Sequence, residues 1–122
     1  MKSELVWTME FPAAGMDVSP HFRQLPQRQC SLAVTSELNS GLSVTQTLVF
    51  SGCEAFRCTY LTASDSDLIL AAYDRVISLL DSTWLKELNA KKDTKDENLR
   101  HLMICLDDGA CYEVLCRGFA AA

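Results

Sequence analysis

The chain has 122 residues, 48% of them hydrophobic and 22% charged, with a net charge of −5 and six cysteines. This balance predicts one globular domain, residues 1–122, whose core needs neither metal nor disulfide. The negative charge argues against a nucleic-acid surface, and no apolar run reaches signal-peptide or membrane-helix length, so the expected location is the cytoplasm, with reduced cysteines.

Residues 4–11, "ELVWTMEF", are rich in strand formers and predict a first strand. Residues 12–27 contain all three prolines, Pro12, Pro20 and Pro26. Proline removes a backbone donor and disfavours helix before it, so this segment reads as a long irregular connection. The runs "CSLAVTSE" and "LSVTQTLVF" alternate apolar and polar residues on either side of an Asn-Ser-Gly break. They predict an antiparallel hairpin. Gln46 interrupts the apolar parity of Leu42, Val44, Leu48 and Phe50. "CEAFRCTYL" alternates again and reads as the third strand of the same meander. Cys53 and Cys58 have unlike parity there and point to opposite sides.

The period then turns helical. Leu68, Ile69, Ala72, Tyr73, Val76, Ile77, Leu79 and Leu80 fill one arc of about 180°, predicting an amphipathic helix over 66–80 with Asp67, Asp74 and Asp81 on the solvated side. Ser64, Asp65 or Ser66 suits its N-cap. Asp81 or Ser82 caps a second, shorter helix, "TWLKELNA", and the charged stretch 91–98 reads as an exposed loop.

The C-terminal stretch "HLMICLDDGACYEVLCRGF" predicts a hairpin around Asp107-Asp108-Gly109. A two-residue loop would mix the faces. A three-residue loop with Gly109 in a bulge pairs Ile104 with Tyr112 and Leu102 with Val114, which gathers Leu102, Ile104, Leu106, Tyr112, Val114 and Cys116 on one apolar face. Cys105 and Cys111 then become neighbours on the other face, near Met103, Glu113 and His101. No zinc-type spacing accompanies these thiols, so they read as packing and not as a metal or redox centre.

The expected fold is therefore α+β: an antiparallel sheet of five to six strands, a meander plus the C-terminal hairpin, packed through its Leu102, Ile104, Tyr112 and Val114 face on one amphipathic helix over 66–80, with a second short helix. No nucleophile elbow, phosphate loop, dinucleotide glycine pattern or metalloprotease motif is present, and no catalytic residue, cofactor or metal ligand is assigned. The first functional expectation is a non-catalytic protein-interaction domain, with a protein partner or self-association as a homodimer. Its candidate contacts are His21, Phe22, Arg23 and Trp84, because aromatic and Arg residues dominate interface hot spots. The alternative is a small-molecule-binding protein or enzyme with a pocket between sheet and helix, closed by the 12–27 loop. The general character is also similar to that of bacterial accessory proteins, including immunity proteins that neutralise a toxin. A pocket lined by convergent polar groups favours the second class, and a flat apolar patch around Trp84 or Phe22 favours the first.

Overall fold

The structure, a computed structural model, describes residues 2–11, 19–63, 65–91, 98–107 and 109–121. Among them lie nine strands and two α-helices: β1 (Ser3–Thr8), β2 (His21–Leu25), β3 (Gln29–Glu37), β4 (Ser43–Ser51), β5 (Ala55–Tyr60), α1 (Ser66–Ala72), β6 (Arg75–Leu79), α2 (Thr83–Ala90), β7 (Arg100–Cys105), β8 (Ala110–Cys116) and β9 (Gly118–Ala121). A single 3₁₀ turn, Leu61–Ala63, links β5 to α1. The fold is a sheet-dominated α+β arrangement with antiparallel strand pairing. No helix among the described residues is long and apolar enough to cross a membrane.

The strands form two sheets and not the one expected sheet of five to six. The first runs β1-β6-β7-β8-β5, and the second β2-β3-β4-β9. The sheets meet through a shared core. Val76, Leu102, Ile104, Tyr112 and Val114 from the first sheet pack with Leu32, Val34, Leu48 and Phe50 from the second. Both predicted hairpins form. Each uses a three-residue loop ending in a glycine with positive φ, Gly41 at 83° and Gly109 at 90°. The C-terminal register pairs Leu102 with Val114, Ile104 with Tyr112 and Cys105 with Cys111, as the continuity of the apolar face requires.

Four further expectations fail. The helix predicted over 66–80 stops at Ala72, capped at its start by Asp65. The chain then turns at Asp74, whose φ is 56°. Asp is one of the few residues that visit this region. The turn is tied on both sides: Asp74 N–H donates to the Cys105 carbonyl, and Met9 N–H donates to the Asp74 carbonyl, both at 3.0 Å. Residues 75–79 form β6, which lies between β1 and β7 and buries Val76, Ile77, Ser78 and Leu79. A strand buried on both faces is a continuous apolar run, and such a run also fits a helical arc.

The helix also covers the other face from the one expected. Leu68 and Ile69 of α1 pack on Ile77, Met103, Cys105 and Cys111, away from the second sheet. The third strand of the presumed meander, β5, leaves the β3–β4 hairpin and pairs with β8. Finally, the described part of the 12–27 connection is strand β2 and its turn, paired with β3. The turn is made by Gln27 and Arg28, both at positive φ. Residues 12–18, Ser64, residues 92–97 and Asp108 lie outside the described residues. The 91–98 loop expectation and the Ser64 cap option therefore lie largely or wholly beyond the description.

Gln46 resolves its own anomaly. Its buried amide accepts from Glu10 N–H and donates to the Phe11 carbonyl, each at 3.0 Å, so the polar residue in an apolar row clamps the chain leaving β1.

Candidate functional site

The β7–β8 hairpin carries the site. Because side chains alternate along a strand, the register that turns Leu102 and Val114 toward the core turns His101 and Glu113 to the opposite face. Both are buried, with side-chain exposures of 3% and 7%. His101 Nε2 lies 2.7 Å from Glu113 Oε1. On its other side, His101 Nδ1 lies 2.6 Å from the Ser82 hydroxyl. Ser82 is the N-cap of α2, and its Oγ also accepts from Leu85 N–H at 3.1 Å.

The tautomer follows from these partners. The Glu113 carboxylate is an acceptor, so Nε2 carries the proton that it receives. In the neutral ring Nδ1 then accepts from the Ser82 hydroxyl. Burial opposes the ionisation of Glu113 more than any other single effect. Hydrogen bonds from His101 and Arg57 and the charge of Arg57 together outweigh it, holding the carboxyl below its ordinary value of 4.5.

Arg57 completes the chain from β5. Its Nε and Nη2 donate to Glu113 at 3.0 and 3.1 Å in a two-pronged pair. The guanidinium carbon also sits 4.2 Å from the centre of the Trp84 ring, a cation–π contact. Trp84 in turn meets His101 edge-on, with ring centres 5.2 Å apart. The Arg57 side chain remains 46% exposed. Glu113 takes two of its five N–H groups, so three are left over by that carboxylate.

These groups line a pocket of about 280 Å³ between the first sheet and the two helices. Its polar side is Arg57, Ser82, His101 and Glu113, and its apolar side is Leu68, Leu79 and Trp84; Thr83 and Glu87 complete the rim. The 66–80 stretch contributes Leu68 from α1 and Leu79 from β6, and α2 contributes Thr83, Trp84 and Glu87. None of the described residues of the 12–27 stretch lines it, so that segment is not seen to close it.

A second concavity, about 310 Å³, opens at the β2 and β5 edge beside Arg28, Cys30, Cys53 and Glu54. Its chemistry is quiet. Arg28 and Arg117 both pair with Glu54. Burial pushes the Cys30 thiol up to about 12, and a hydrogen bond with Cys116, together with burial, pushes the Cys53 thiol higher still. Such thiols are protonated and poor nucleophiles. Cys105 is raised by burial and by its neighbour Cys111. Among the described residues no group of three or more His, Cys, Asp or Glu side chains is arranged to hold a metal ion.

The candidate contact residues are divided by the fold. His21 and Arg23 are exposed on the β2 edge. Phe22 is half-buried, with ring centres 5.1 Å from Phe56 and 6.0 Å from Tyr112, so it packs at the seam of the two sheets. Trp84 lies on the far face of the first sheet under Arg57. Both border β5, Phe22 through Phe56 and Trp84 through Arg57. Sequence reasoning placed His101 and Glu113 together but did not join them to Ser82 and Arg57, which are 19 and 56 residues from their partners. His101 and Glu113 shared the face opposite the apolar row of their hairpin, whereas Arg57 and Ser82 carried no local signal that joins them to it.

Comparisons of the chain with known protein families, with curated proteins and with solved structures give no match.

Proposed function

We propose that the protein binds a small neutral molecule bearing a carbonyl group in the pocket between the first sheet and α2. The observation behind this reading is Arg57, held in place by Glu113 and Trp84 yet half-exposed at a pocket of about 280 Å³. Such a fixed donor loses little conformational freedom when it meets an acceptor. Charge selects the ligand class. The lining carries Arg57 against Glu113 and Glu87, so an anion gains no net attraction there. A carbonyl oxygen needs only the donor, and Leu68, Leu79 and Trp84 suit an apolar remainder. At about 30 Å³ per water the pocket holds roughly nine waters, which sets the ligand at a similar number of non-hydrogen atoms.

The test is a nuclear magnetic resonance titration with small neutral esters and amides and, in parallel, small carboxylates. Neutral carbonyl fragments should move the Trp84 indole signal, and Arg57→Leu should weaken them about tenfold, the loss of one hydrogen bond of about 1.4 kcal/mol. Signals that do not move, or fragments that bind Arg57→Leu equally well, reject the reading.

A second reading, contact with a protein partner or a second copy, is favoured by the β5 edge. Phe56 and Tyr60 there are 45% and 73% exposed, beside the exposed His21 and Arg23 of β2. Edge strands with large apolar side chains invite strand addition. Sedimentation of the wild type against a Phe56→Lys, Tyr60→Lys double variant tests self-association; a monomer in both removes the second-copy form.

A further inference from the structure

The polar chain at the pocket has a geometry that binding alone does not need. Ser82 Oγ is 2.6 Å from His101 Nδ1, and His101 Nε2 is 2.7 Å from Glu113. A hydroxyl bonded to an imidazole whose far nitrogen is held by a carboxylate has the relation of nucleophile, base and orienting group. The Ser82 hydroxyl gives its proton to Nδ1 and uses one lone pair for Leu85 N–H, which leaves a second lone pair on Oγ. The N–H groups of Thr83 and Trp84 open α2 and have no carbonyl four residues earlier within the helix. They follow Ser82 directly, as the donor does after a serine nucleophile at a strand-to-helix turn. The pocket sets Ser82 and His101 beside apolar Leu68, Leu79 and Trp84.

We infer that Ser82 is an acyl-accepting nucleophile and that the pocket hydrolyses a small neutral carboxylic ester, an inference that rests on reading this pocket as a carbonyl-binding site. Oγ bonds to the ester carbon while its proton passes to His101 Nδ1, and the carbonyl electron pair moves to oxygen. Collapse of that oxyanion breaks the bond to the alkoxide, which leaves as the alcohol with the proton from Nδ1. Water then adds to the acyl-Ser82 carbon, giving its proton to Nδ1. Expulsion of Oγ returns the proton to Ser82 and releases the acid. Ser82 and His101 are the catalytic residues, and Glu113 is a positioning residue.

The test uses the full chain, a small dialkyl fluorophosphate and p-nitrophenyl acetate. In labelling, Oγ forms a bond to phosphorus, fluoride leaves and His101 takes the proton. One adduct per chain, located on Ser82 by peptide mass spectrometry, is expected. Ser82→Gly deletes the hydroxyl at little cost to the cap and should abolish labelling and lower ester cleavage about 100-fold or more. Glu113→Gln should lower the maximal labelling rate by a larger factor than it raises the half-saturating probe concentration, and Glu113→Asp, which keeps the carboxylate, should restore part of that rate, a rescue that a merely structural role does not produce. No adduct, an adduct elsewhere, or unchanged cleavage by folded Ser82→Gly overturns the inference. If Ser82→Gly does not fold, the adduct position in the wild type decides. Arg57-dependent fragment binding without an adduct overturns catalysis alone. An adduct on Ser82 without Arg57-dependent binding overturns the carbonyl-pocket reading and with it the substrate class.

Discussion

The two faces of the β7–β8 hairpin are built from the same thirteen or so residues and do different work. On the inner face Leu102, Ile104, Tyr112 and Val114 meet the second sheet in a continuous apolar layer. On the outer face Met103, Cys105 and Cys111 pack under α1, and one step along the strands His101 and Glu113 begin a chain of polar contacts that ends at the half-exposed Arg57. The inner face gains its stability from area removed from water, which is insensitive to pH and tolerant of similar shapes. The outer face depends on partners with fixed donor and acceptor roles, so losing one strands the others. A pleated strand can hold both because alternate side chains never share an environment.

The sharpest way to break this contrast is a charge on the inner face. Val76 is fully buried in that layer, and Val76→Asp should cost more than about 4 kcal/mol and abolish cooperative folding. A thermal melt with an ordinary transition would remove Val76 from the core. Leu102→Ala leaves a cavity instead of a charge and should cost about 3 kcal/mol, read as a lower denaturant midpoint with unchanged slope.

On the outer face, Glu113→Gln keeps the shape and removes the charge. It should cost about 2 kcal/mol near neutral pH, since hydrogen bonds to a charged group are the stronger kind. The pH dependence has a definite sign. The folded carboxyl titrates below its ordinary 4.5, so its stabilisation is complete above that pH and is lost as pH falls through the lower folded value. Denaturation midpoints of the two proteins should therefore converge as pH falls below 4.5. A gap that stays constant down to the acid transition would show that the Glu113 charge contributes nothing.

Smaller effects locate the edges of the two regions. Phe22→Ala should cost about 2 kcal/mol, because its ring packs on Phe56 and Tyr112, whereas exposed Arg23→Ala should stay within about 0.5 kcal/mol. Equal melts for the two variants would contradict the seam. Asp74→Ala should cost about 1 kcal/mol, since Ala tolerates the positive φ poorly. A neutral result would fit the solvated helix face that the periodicity predicted, and would count against the turn.

Patterns of short range were legible. The hairpin turns, the Ser82 cap and the alternation on β7 and β8 all follow from neighbours within a few residues, where glycine, capping side chains and period-2 apolar rows act directly. The candidate site was half-legible: His101 and Glu113 shared a face once the register was fixed, while Arg57 and Ser82 gave no sign of meeting them. The failed reading of 66–80 marks the boundary. Its apolar residues suit a helix arc, yet β6 is held by β1 on one side and β7 on the other, contacts about seventy and twenty-five residues away.

Local backbone preference and the hiding of apolar surface settle which segments alternate, where the chain turns and which hairpin residues are buried, so these features can be read from the residues alone. Long-range packing settles that the strands divide into two sheets, that residues 75–79 extend instead of coiling, and that Ser82, His101, Glu113, Arg57 and Trp84 converge. The physical reason is that strand order and side-chain convergence are set by which surfaces bury one another across long separations, and a single linear pattern is compatible with several such pairings.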